Sequence, residues 1–73
     1  MATRKELLAD LRAQYGNMLN IGEATEAIGY SDRNAAKKFF AGLPLYDMGK
    51  EKKFLAIDVA KRIDAVKVKE VNN

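Results

Sequence analysis

The stretch NIGEATEAIGYSDRNAAKKFFAGLP, Asn20–Pro44, decides how this chain folds. Asn20 and Glu23 stand three apart, the spacing at which a cap side chain and a glutamate satisfy each other's orphan amides at a helix start. Ile21, Ala24 and Ile28 then recur on one helical face. Gly29 follows, and glycine enters the left-handed conformation without steric cost, so it is expected to end that helix. Ser31 offers the cap of a new helix, with Asp32 favourably placed in its first turn. In that helix Ala35 and Phe39 are placed inward, Ala36 or Phe40 completes the face, and Gly42 ends it ahead of Pro44. Two helices joined by a very short turn around Gly29 and Tyr30 have helix-turn-helix spacing.

Upstream, Thr3 and Glu6 repeat the capping spacing, and Leu7, Leu8, Leu11 and Tyr15 fall on one stripe. A helix over 3–15 is expected, stopped by Gly16-Asn17, with Met18-Leu19 as a brief extended piece. Downstream, LYDMGKEKKFLAI reads as a hairpin: Leu45–Met48 and Lys53–Ala56 are the strands, and Gly49–Lys52 the tip. Asp58 is expected to cap a last helix over 58–70, in which Val59, Ile63 and Val66 keep helical spacing. The alternation of the tail VKVKEVNN also suits a strand; the expectation is a helix that continues and then frays. With no repeat, linker or low-complexity stretch, 1–73 is read as a single domain. The fold class is α+β, mostly helical, with three to four helices and a two-stranded hairpin. A helix-turn-helix over 20–42 with a hairpin wing over 45–56 behind it is the layout of a small winged helix-turn-helix domain.

The chain of 73 residues lies near the lower limit for one apolar core. It contains neither cysteine nor histidine, which excludes a disulfide, a thiolate–imidazole zinc site, and Ser/His or Cys/His catalysis. Its carboxylates are scattered, and several are expected to serve as caps, so neither an enzyme nor a cofactor is motivated. No apolar run approaches the roughly 20 residues of a membrane span, and the polar start MATRKELLADL is not expected to act as a signal peptide. A soluble, cytoplasmic protein without a membrane partner is expected.

The net charge of +3 is modest, but residues 31–55 carry six basic against three acidic side chains, and 1–30 carry three against four. The surplus therefore lies after the bend, as an anionic polymer would require. Arg33 and Asn34 fall in the first turn of the second helix of the pair, where side chains reach base edges; arginine suits the guanine acceptors and asparagine suits adenine. Lys37 and Lys38 are read as phosphate contacts, with room for one of them to face solvent. Lys50, Lys52 and Lys53 form a cluster on the wing; alternation puts Lys52 and Lys53 on opposite sides, so not all three touch DNA. Against these readings stands the ordinary one, that lysines on a small protein form a solvated face and first-turn polar residues simply cap. Tyr30 is read as a packing residue, and Phe39, Phe40 and Phe54 as core. A rival of another class is a protein-interaction adaptor, with Leu7, Leu8 and Leu11 as the partner surface.

The run IGEATEAIGYSDR resembles the opening of the MerR-type helix-turn-helix, and the longer pattern is closer to its excisionase-like branch. The markers are the Gly29-x-Ser31 turn, a helix ending in Gly42-Leu43-Pro44, a Gly49-Lys50 hairpin tip, and Asp58-Val59 at the start of the last helix. They extend from about Ile21 to Ile63. The resemblance implies a DNA-binding module of a mobile element: a recombination directionality or architectural factor, or a small transcription regulator. It implies double-stranded DNA as partner, an integrase or recombinase beside it, and a monomer that binds cooperatively along a site. The chain departs from the pattern in its N-terminal helix, in Asp32 at the start of the recognition helix, and in Asp47 and Glu51, which dilute the wing's charge. A weaker or narrower phosphate grip is the expected consequence.

Overall fold

A computed structural model describes residues 3–66. The chain forms α1 (Arg4–Tyr15), β1 (Met18–Asn20), α2 (Ile21–Ala27), α3 (Arg33–Phe39), β2 (Tyr46–Asp47), β3 (Lys52–Leu55) and α4 (Ala56–Ala65). Four helices thus accompany a three-stranded antiparallel sheet in the order β1-β3-β2. None of the described helices is long and apolar enough to cross a membrane.

Local chemistry sets the helix starts. Thr3 Oγ1 accepts from the Glu6 amide at 3.1 Å while the Glu6 carboxylate accepts from the Thr3 amide at 3.4 Å, the reciprocal box expected at α1. Asn20 and Glu23 build the same box at α2, at 2.8 and 3.0 Å. Asn20 is also the last residue of β1, so strand passes into helix with no connecting loop. The turn after α2 depends on Gly29, whose φ of +75° is in the left-handed region. Its amide donates to the Glu26 carbonyl at 3.0 Å, and the Tyr30 amide donates to the Thr25 carbonyl at 3.1 Å.

Three expected boundaries are corrected. Asp32, not Ser31, caps α3: its Oδ1 accepts from the Asn34 amide at 2.9 Å, and a carboxylate complements the helix N-terminus better than a hydroxyl. With α3 starting at Arg33, Ala36 and Phe40 are the buried pair and Ala35 and Phe39 are half-buried; Phe40 caps the helix and Gly42 lies in the turn that follows. Asp58 is not the cap of α4 but lies in its first turn. That helix begins directly from β3 at Ala56, whose amide, one of the four left without a partner inside the helix, donates to the Asn17 carbonyl at 2.8 Å, and no side chain caps the helix. The helix ends at Ala65, and the expected continuation toward 70, with the tail 67–73, falls outside the described residues.

The sheet also differs from the expected two strands. Met18–Asn20 pairs along the free edge of β3, with Leu19 opposite Phe54, and so makes β3 the central strand. The first hairpin strand is two residues shorter than expected and the second starts one residue earlier, at Lys52, with Tyr46 opposite Lys53 and Asp47 opposite Lys52. Its tip is Met48–Glu51, closed by the Met48 amide on the Glu51 carbonyl at 2.9 Å and by the Gly49 amide on Asp47 Oδ1 at 2.9 Å.

Leu19, Phe40 and Val59 are the largest fully buried side chains, and Ala24, Ala36, Ala56 and Ala60 fill the space between elements. Such small residues let backbones approach closely, which leaves little room for substitution. Leu11 of α1 is buried in this core, and Leu7, Leu8 and Tyr15 pack partly against it. The α1 stripe, the partner surface of the adaptor reading, is therefore turned toward the molecule's own core. Arg4 fastens α1 to α4 through Asp64 at 2.9 Å, and the Tyr15 hydroxyl donates to Glu26 of α2 at 3.1 Å.

Two outcomes follow from this packing. No atom lies within 4 Å of where a Gly29 side chain would start, so the strain of Gly29→Val is in the backbone alone. It should lower unfolding stability by about 1–3 kcal/mol, and Gly29→Asn should cost clearly less; urea melts of the two variants check this. Burial first, then the hydrogen bond and charge of Glu26, push the Tyr15 phenol above its ordinary 10.0. A raised value means the contribution is whole below 10.0 and is lost as pH rises through the folded-state value. Tyr15→Phe should therefore show a shallower loss of stability than the parent in melts run from about pH 8 to 11.

Candidate nucleic-acid interface

Between α3 and the β2–β3 hairpin runs an open cleft of about 730 Å³. Its floor is apolar, made by Ile21, Phe40, Leu43, Leu45 and Phe54. Four of the seven residues singled out from the sequence line it: Arg33 and Lys37 from α3, and Lys50 and Lys52 from the hairpin. Asn34, Lys38 and Lys53 do not.

Helix geometry explains the division. At roughly 100° per residue, Phe40 lies about 40° around α3 from Ala36, Arg33 about 60° and Lys37 about 100°. Arg33 and Lys37 therefore flank the buried Ala36–Phe40 stripe on one side, at the mouth of the cleft. Asn34 and Lys38 lie about 160° and 200° from Ala36, on the outer face, where both are exposed. The four polar residues thus form one continuous arc. On β3, Phe54 points to the core and Lys52, two residues earlier, lies on the same face at the cleft. Lys53 takes the other face and sits 3.6 Å from Glu51, half-screened from solvent.

The acidic residues of the hairpin have local work. Asp47 closes the tip through the Gly49 amide, and Glu51 pairs with Lys53 while accepting from Asn20 Nδ2 at 3.2 Å. Asn20 therefore joins the start of α2 to the hairpin tip as well as capping its own helix. The ion pairs among the described residues are Arg4–Asp64 and Lys53–Glu51, so the four cleft cations are engaged in neither.

Three contributors escape a reading of the sequence. Asn20 is legible as a cap, but its second bond spans 31 positions. Gly22 looks like an ordinary helical glycine, yet the Arg33 guanidinium lies against it. Arg62 of α4 donates from Nη1 to the carbonyls of Phe39 at 2.6 Å and Ala41 at 3.0 Å. These are orphan carbonyls at the end of α3, and a guanidinium there satisfies them and complements the helix dipole. Tyr30 packs its ring 6.0 Å from Phe39 while keeping one side exposed.

The cleft thus joins apolar lining to four cations that are in no ion pair among the described residues, and Asp47 and Glu51 line it as well. Such an arrangement suits an anion with an extended, partly apolar body. Among the described residues no three carboxylates gather in a way that would hold a metal ion. No family model, curated protein or solved structure matches the chain.

Because Arg62 fixes the end of the helix that carries Arg33 and Lys37, Arg62→Met should destabilise the fold by about 1–3 kcal/mol through the two carbonyls left behind. Denaturant melts measure the loss, and amide exchange should quicken first at residues 39–42.

Proposed function

We propose that this chain binds double-stranded DNA as a winged helix-turn-helix protein of the excisionase-like kind, with no enzymatic activity of its own. In this reading α2 and α3 are the helix pair, α3 enters the major groove, and the β2–β3 hairpin is the wing. The observation that carries it is the cleft, lined by Arg33 and Lys37 from α3 and by Lys50 and Lys52 from the hairpin, four cations against the two carboxylates of Asp47 and Glu51, with none of the four in an ion pair among the described residues. A single sugar–phosphate strand is the polymer such a cleft suits: its phosphates meet the cations, and its deoxyriboses meet the apolar floor. Asn34 and Lys38, on the outer arc of α3, then turn toward the groove, where asparagine can pair with adenine and lysine with guanine or phosphate. Architectural work beside a recombinase, with several copies bending one attachment site, is the role that follows from the resemblance; control of a promoter by the same residues is the alternative.

The test is a titration of random-sequence duplex at several salt concentrations. Lys50→Gln with Lys52→Gln should weaken binding and reduce the log–log salt slope by up to roughly 0.9 for each phosphate no longer neutralised. Lys53→Gln, already neutralised by Glu51, should change the slope less. A parent protein with no salt-dependent affinity for duplex DNA, or a double variant with an unchanged slope, rules the reading out.

A further inference from the structure

Gly22 occupies the first turn of α2 with no need for glycine in its backbone, since its φ is not positive. A helical glycine is less favourable than alanine by roughly 1 kcal/mol, so what it provides has to be sought in its surroundings. A Cβ built there would lie 3.1 Å from Arg33 Nη2, 3.7 Å from Arg33 Cζ and 3.3 Å from Asn20 Oδ1. The guanidinium of Arg33 lies so close that a side chain at position 22 would push it aside by a few tenths of an ångström or more. Arg33 is the first residue of α3, and side chains of a helix lean toward its N-terminus, which carries this one back onto α2.

We infer that Gly22 is the seat of Arg33: the missing side chain holds the guanidinium inside the cleft, and so makes Arg33 a phosphate ligand rather than a reader of base edges. This rests on the DNA-binding reading above and deepens it. A guanidinium is planar and offers a fork of donors matched to phosphate oxygens, and one held beside Gly22 has given up part of its freedom before the ligand arrives. Lys37, Lys50 and Lys52 line the same cleft, so Arg33 adds the one directional donor to three point charges. Gly22 is in this sense a positioning residue.

The experiment pairs Gly22→Ala and Gly22→Leu with Arg33→Ala on a random-sequence duplex of about 20 base pairs. Gly22→Ala should weaken binding by roughly threefold to tenfold and Gly22→Leu by more, each flattening the salt slope toward that of Arg33→Ala. In the Arg33→Ala background, neither substitution at position 22 should weaken binding further. The melting temperature of Gly22→Ala should stay level or rise, because alanine favours the helix, so weaker binding cannot be ascribed to unfolding. Equal weakening with and without Arg33, or none at all, overturns the seat. In the free parent protein a nuclear Overhauser effect between the Gly22 α protons and the Arg33 side chain is expected, and its absence overturns the seat independently of DNA. A parent that shows this effect but does not bind the duplex keeps the seat and overturns the phosphate role along with the DNA reading.

Discussion

The packing of Phe40 on Phe54 holds the two halves of this protein together. Their rings lie 5.3 Å apart and both are almost wholly buried. Phe40 caps α3, and Phe54 stands in the central strand opposite Leu19 of β1, so one aromatic pair joins the helix pair to the sheet. Such a pair contributes about 0.5–1.5 kcal/mol beyond the area it buries. Its larger effect is geometric. The same rings floor the cleft, and the cations on either wall take their places from them.

Around that aromatic pair the core is thin, with alanines at four of its buried positions. A chain of 73 residues without cysteine needs more apolar cover than one helix pair and a sheet provide. The N-terminal helix supplies it, burying Leu11 and half-burying Leu7 and Leu8. The polar links that fasten it, Arg4–Asp64 and Tyr15–Glu26, are largely open to solvent. Exposed pairs contribute about 0–1 kcal/mol, so α1 is kept in place mainly by its leucines. A departure from the excisionase-like pattern in sequence is thus a stabilising cover in structure.

Much of this is legible in the sequence because it is local. The boxes at Thr3 and Asn20, the left-handed Gly29 and the glycine at the hairpin tip each depend on residues within four positions of one another. Expectation and structure part where two local solutions compete or where distant chain intervenes. Ser31 and Asp32 are both good caps, and four apolar residues in the helix leave two neighbouring faces open to burial, of which the one with Ala36 and Phe40 is the more buried. Asp58 looks like a cap because nothing nearby reveals that the Ala56 amide is met by Asn17, 39 positions earlier. The third strand reads only as an extended piece, since three residues carry too little alternation to announce a partner. Arg62 and Gly22 act entirely through tertiary packing, and no spacing in the sequence marks them.

The sum of charge over residues 31–55 identifies the segment that borders the cleft but does not sort its members. Six cations there look alike in sequence. Folding neutralises Lys53 with Glu51, turns Lys38 to the outer face of α3, and gathers the remaining four around one cleft. The acids expected to dilute the hairpin's charge also shape it, Asp47 by closing the tip and Glu51 by tying it to Asn20. A potential focused between low-dielectric walls depends on which charges share the space, not on how many the segment holds. Around this cleft four cations stand against the two carboxylates of Asp47 and Glu51, so two of the domain's net +3 charges are gathered there. What sets that field is the helical arc beside Phe40 together with the alternation of β3 beside Phe54, so the electrostatics of the cleft are a consequence of its hydrophobic floor.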